Sequence, residues 1–280
     1  MSVSRSTTLL FAILLATGCV RQVQYEALPA GTPAPAVGND VQAVLYLVGD
    51  AGDDSPGRAA VLGHLYAELA ELESDSPGVP VVVAFLGDNI YDVGAREAFK
   101  DEDLAHLAAQ VEATESSSTA HAVFLPGNHD WARGGREGFD YVKNQRKYLE
   151  KNLDMKGVFQ PKKGRPGPVE IKLSDDVVLI LFDSQWWFHE YEKSYAGIVE
   201  EADIFVQIED AISRNRDRKI IFACHHPIYS VGNHGGRFPG NSALFPLVDV
   251  HPALWIPLPG FIYTGYRKYL GAGQDLANPH

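Results

Sequence analysis

The sequence predicts an α/β fold, and three observations carry that prediction. Apolar runs of strand length alternate along the chain with stretches whose apolar residues recur at helical spacing, the pattern of strands joined by helices. The runs are continuously apolar, as expected of parallel strands covered on both faces. Four of them stop at polar residues of a narrow kind: Gly-Asp, Gly-Asp-Asn, Gly-Asn-His-Asp and Cys-His-His-Pro. Side chains beyond the carboxyl ends of neighbouring strands converge in such sheets, so these endings mark where a site would sit.

The elements follow in order. The stretch MSVSRSTTLLFAILLATGCVRQ offers an arginine, the apolar run LLFAILLA and then small residues, which reads as an export signal over residues 1–18. LATGC resembles a bacterial lipobox, with Ala16 where leucine is more usual, so Cys19 is expected to carry a lipid. A plain cleaved signal and an uncleaved anchor are the alternatives. Residues 19–40, rich in Pro, Ala and Gly without periodicity, read as a tether to a domain over 41–280. One lipid would hold the protein at a membrane without threading it, placing it in a bacterial cell envelope, at the periplasmic face or outer membrane. Cys224 is the other cysteine, expected as a small buried residue at a strand end.

VQAVLYLVGD (41–50) is the first buried strand, and GRAAVLGHLYAELAEL a helix after it. VPVVVAFLGD (79–88) is the second strand, residues 95–115 a second helix, and HAVFLPGNHD (121–130) the third strand. FDYVKNQRKYLEKNL is helical again. PGPVEIKLSDDVVLILFDS (166–184) reads as two strands turning at Asp175 and Asp176, which adds an antiparallel part. A helix over VEEADIFVQIEDAISRN and a strand KIIFACHHP complete the pattern; the Pro, Gly and Tyr-rich tail from about residue 238 carries no assignment.

The net charge of −12, with no long basic run, argues against a nucleic-acid partner. It leaves a phosphate ester open, because a bound metal can dominate the local field of an acidic protein. The strand ends supply donors for two ions. Asp88, with two carboxylate oxygens, suits a bridge; Asp50 suits one ion, Asn128 and His225 the other. In GDAG the position two after Asp50 is Gly52, which has no side chain, and Tyr91 could supply the missing ligand from the next strand end. Phenolate is a hard anion suited to Fe(III). The alternative is that the Tyr91 ring only packs at the domain edge.

GDAG, GDNIY, GNHD and ACHHP, in that order, resemble the calcineurin-like metallophosphoesterases from about residue 41 to at least 236. Gly52 together with Tyr91 is most similar to the small, tartrate-resistant type of purple acid phosphatase. The resemblance implies a four-layer α/β sandwich of two mixed sheets flanked by helices. It implies Asp50, Asp88 and Tyr91 on Fe(III), and Asp88, Asn128 and His225 on a divalent iron, zinc or manganese. His129 would contact the substrate phosphate and His234 would assist the leaving group. The implied activity is hydrolysis of phosphomonoesters by in-line attack of metal-bound hydroxide; separately, the protein is expected to be a monomer. Cleavage of a diester or nucleotide on the same site is one alternative. The other is an inactive lipoprotein, since a late Gly-His-x-His would be expected to add two ligands and no His-x-His follows His225. Trp131 is a candidate pocket wall, and Arg133 and Arg136 are candidate phosphate contacts or solvated loop residues. His226 is expected to be structural; His64, His106, His121, His189 and His251 are expected to pack.

Overall fold

The computed structural model of the chain describes residues 41–96, 101–193 and 200–227, all within the compact unit Val41–His280. Two three-stranded sheets form the frame. β1 (Val44–Val48), β2 (Val81–Phe85) and β3 (Ala120–Phe124) lie side by side in that order, parallel throughout. In the second sheet β5 (Val177–Leu181) is central, antiparallel to β4 (Val169–Lys172) and parallel to β6 (Lys219–Ala223). Helix α1 (Pro56–Asp75) links β1 to β2, and α2 (Asp101–Glu112) lies between β2 and β3. α3 (Gly138–Lys151) follows β3, the single turn α4 (Gln185–Phe188) follows β5, and α5 (Glu201–Arg214) precedes β6.

The alternation of each strand shows why the apolar runs are continuous. Val81, Val83 and Phe85 of β2 face a core shared with Leu62, Leu65 and Leu69 of α1, Leu107 of α2 and Leu149 of α3. Val82 and Ala84 point the other way, into a second core with Val123, Leu125, Leu179, Leu181 and Ala223, where the two sheets meet face to face. Val178 and Ile180 of β5 turn outward onto Ala211 of α5. The order of layers is therefore helices, sheet, sheet, helix, and every residue of a central strand has an apolar neighbour. Phe85 and Phe124, both fully buried, stack at 4.7 Å across β2 and β3.

Several expectations are corrected in detail. β1 is not buried on both faces: it pairs on one side among the described residues, and Leu47 is 49 % exposed. The second helix begins at Asp101, with Ala95 and Arg96 outside it, so its described span is shorter than 95–115. α4, made of the aromatic run QWWF, had no periodicity to announce it. The Asp175 and Asp176 turn does form, closed by the Leu173 and Ser174 N–H groups on the Val177 carbonyl. His234, His251 and the tail lie outside the described residues, as do the signal and tether. Among the described residues no helix is long and apolar enough to cross a membrane.

Candidate metal centre

Parallel pairing of β1 and β2 puts their two Gly-Asp endings side by side. The pairing continues past the strands: Leu86 N donates to Val48 O at 2.7 Å, Asp50 N to Gly87 O at 3.1 Å and Gly52 N to Asp88 O at 2.9 Å. Asp50 and Asp88 both adopt positive φ, 56° and 54°. Aspartate tolerates that region better than most residues, and paired outliers of this kind gather at functional sites. Two close approaches fix the arrangement. A Cβ on Gly52 would collide with the Asn89 backbone, and one on Gly127 with the Asp88 carboxylate.

Asp88 is the hub. Its Oδ2 accepts a hydrogen bond from the Tyr91 hydroxyl at 2.8 Å, and the same hydroxyl lies 2.9 Å from Asp50 Oδ1. Its Oδ1 faces the other way, 3.5 Å from His225 Nε2 and 2.9 Å from the donating His129 N–H. Asn128 Oδ1 lies 2.9 Å from His225 Nε2. Ligand atoms of Asp50, Asp88 and His225 all fall within 4.8 Å of one another, a spacing that one or two cations can span. The five residues proposed from sequence as ligands are thus brought together, with the two oxygens of Asp88 serving different neighbours. Asp50 stands exposed while Asp88 is buried, so the cluster opens on the Asp50 side.

The donors fit a cation better than they fit each other. His225 Nδ1 donates to the Leu86 carbonyl at 2.9 Å, so in the neutral imidazole Nε2 turns its lone pair toward Asn128 Oδ1 and Asp88. Acceptors so close repel unless a positive charge lies among them. The Tyr91 hydroxyl has one proton for two carboxylates. Burial first, and then those carboxylates, push the Tyr91 phenol far above its ordinary range, an effect that a bound cation would reverse. Three oxygen donors on one side of Asp88, and oxygen with imidazole nitrogen on the other, are ligand sets for a hard ion and a borderline one.

His129 sits at the mouth. Its Nδ1 donates to the Asp92 carbonyl at 2.6 Å, its ring packs on Tyr91 at 4.1 Å, and its Nε2 stands 3.9 Å from Asp88 Oδ2. Asp92 in turn pairs with Arg133, which lies on the surface, and Arg136 rests over the Tyr191 ring. Trp131 does not line a pocket: it is fully buried, and its indole N–H donates to Asp183 at 2.9 Å. His226 is held by Ser184, whose hydroxyl contacts its Nδ1 at 2.8 Å and accepts its backbone N–H at 3.0 Å. Of the histidines expected to pack, His189 is buried against Trp131, His106 meets Arg58 at 2.7 Å, and His64 lies on the surface beside Glu68.

Two carboxyl groups, those of Asp130 and Asp183, are buried as deeply as that of Asp88 and carry no role in the sequence motifs. Asp130 is fully buried beneath the cluster, and burial, with the Asp88 charge beside it, raises its pKa. Asp183, at the end of β5, is pushed up to about 8 by burial. Both follow an apolar strand within a few residues, and a carboxylate there is the one signal that could have drawn attention to them.

The family model described as calcineurin-like phosphoesterase matches residues 40–255 of the chain, which takes in every described strand and every residue of the cluster. No curated protein matches the sequence.

Proposed function

The chain belongs to the calcineurin-like phosphoesterases, and from that premise we propose that it is a binuclear-metal phosphatase of the purple acid type that hydrolyses phosphomonoesters. One observation carries the reading: Asp88 offers one carboxylate oxygen to Tyr91 and the other toward His225, with Asp50 and Asn128 completing the two sides. Asp50 Oδ1, Asp88 Oδ2 and Tyr91 Oη would hold Fe(III). Asp88 Oδ1, Asn128 Oδ1 and His225 Nε2 would hold a divalent iron, zinc or manganese.

When bound, such ions supply Lewis acidity that neutralises phosphate charge and acidifies water. The protein's own groups orient the rest. The Leu86 carbonyl fixes the His225 tautomer, and the Asp92 carbonyl fixes that of His129. With Nδ1 protonated, His129 presents Nε2 at the mouth, where it can take up a proton and hold it against a phosphate oxygen. His234 is proposed to give a proton to the leaving oxygen. The LATGC stretch supports export to a bacterial cell envelope and anchoring through lipid on Cys19.

The test is hydrolysis of p-nitrophenyl phosphate by protein reconstituted with iron and zinc, beside bis(p-nitrophenyl) phosphate and the Asp88→Ala variant. The proposal expects turnover of the monoester that disappears in the variant. Turnover of the diester alone would replace it with the phosphodiesterase reading, and equal rates in the variant would end it.

A further inference from the structure

We propose that Asp130 is a positioning residue that sets the spacing between the two halves of the metal centre, an inference that rests on the ligand assignment above. Asp130 is fully buried, and its carboxylate gathers five donors. Oδ1 accepts from the Asn89 and Ile90 backbone N–H groups at 3.1 and 3.2 Å and from Gln145 Nε2 at 3.1 Å. Oδ2 accepts from Gly127 N–H at 2.8 Å, from Asn89 Nδ2 at 3.2 Å and, shared with Oδ1, from Asn89 N–H at 3.1 Å.

The positions of those donors give the group its role. Asn89 and Ile90 directly follow Asp88 and lead to Tyr91; Gly127 directly precedes Asn128. One carboxylate thus grips the peptide groups beside the bridging aspartate and beside a ligand of the second side. The grip is reciprocated, because His129 N–H donates to Asp88 Oδ1 at 2.9 Å. Asn89 Nδ2 also reaches the Leu125 carbonyl at 2.8 Å, and Gln110 donates to the Asn89 carbonyl at 2.8 Å, so the loop after β2 is anchored to β3 and α2 as well. Gln145 brings α3 into the same knot.

Chemistry makes the carboxylate specific. An ionised carboxylate is acceptor-only, with about four lone-pair sites, and can serve this many N–H groups at once. Asparagine has the same shape but would turn an NH₂ toward donors, so one strand end would lose its hold. An aspartate that served the fold alone would lower stability when replaced and leave the affinity of a folded variant for metal unchanged.

The experiment compares full-length protein with Asp130→Asn and Gln145→Leu. Zinc affinity is read by competition with a chromophoric chelator, and the melting temperature of the metal-free form is read separately. Asp130→Asn is expected to bind zinc about 10–100-fold more weakly while still folded, the range typical of groups that orient metal ligands. Gln145→Leu removes one donor from outside both loops and is expected to weaken zinc binding about threefold. If Asp130→Asn does not fold, the Gln145→Leu value decides. Variants that fold and bind zinc as the unaltered protein does overturn the proposal. Failure of the unaltered protein to bind zinc would instead overturn the ligand assignment beneath it.

Discussion

Replacing Asp183 by asparagine should change how stability depends on pH, with a sign fixed by where the group sits. Asp183 is buried where β5 ends, accepts the Trp131 indole N–H at 2.9 Å and the Trp186 N–H at 3.2 Å, and has its pKa pushed up to about 8. An unfolded aspartate titrates near about 3.9. Between those values the folded protein holds a proton that the unfolded chain has lost, so stability is full at low pH and falls as pH rises toward 8. His189, buried against Trp131, works in the opposite direction. Burial lowers its pKa to about 4 from an ordinary value near 6.5, so its contribution is present above 6.5 and is lost as pH falls toward 4. The two slopes cancel between about 4 and 6.5; above 6.5 that of Asp183 remains, joined up to about 7 by that of Asp130, whose carboxyl burial also raises. One proton corresponds to about 1.4 kcal/mol per pH unit, so the native protein should lose about 2 kcal/mol over that window relative to Asp183→Asn. Urea unfolding of both proteins in chelator, at half-unit steps from pH 5 to 8.5, reads the difference directly. Contributions from groups that do not feel the Asp183 charge are common to both curves, and Asp130, which does, adds its part below about pH 7. Parallel curves above pH 6.5 would refute the reasoning, whatever the fixed cost of the asparagine.

Three further outcomes follow from the geometry. Tyr91→Phe keeps the ring against His129 at 4.1 Å and removes the hydroxyl that contacts both Asp50 and Asp88, so protein loaded with Fe(III) should lose its visible charge-transfer band while its melting temperature stays within about 2 °C. Gly127→Ala drives a methyl group into the Asp88 carboxylate and to 2.9 Å from the His225 ring, and zinc titration should show affinity at least about tenfold weaker. Leu181→Ala opens a cavity between the two sheets, where Leu181 is fully buried, and denaturant unfolding should show a loss of about 2–5 kcal/mol.

Much of this architecture is legible in the sequence because its signals are local. VVVAF reads as a strand covered on both faces, and β2 is one, since Val81, Val83 and Phe85 serve one core and Val82 and Ala84 the other. VLYLV reads the same way yet forms an edge of the described sheet, because the number of neighbours a strand has is not written in its own residues. Helical spacing places the next helix over GRAAVLGHLYAELAEL, and α1 covers that stretch. Its start is set by Pro56 in the first turn and by Ser55 accepting the Arg58 N–H at 3.2 Å, a cap the spacing does not report. The candidate ligands could be found because each follows a strand within a few residues. Parallel register aligns the loops after β1, β2 and β3, and the packing of the second sheet brings His225 from the end of β6. Trp131 could not be placed: its neighbour in sequence is the centre, but its indole answers to Asp183, 52 residues away. Asp130 was hidden for a similar reason. Its chemistry is shared with backbone N–H groups, which every residue has and no motif records.

Metal content per chain tests the central claim most directly. Protein reconstituted with excess iron and zinc, then desalted and measured by elemental analysis, should carry about two ions per chain, and Asp88→Ala should carry about one or fewer. Such a result would mean that the two faces of Asp88 hold two ions. An unaltered protein with one ion or none, or an Asp88→Ala variant that keeps both, would contradict the account.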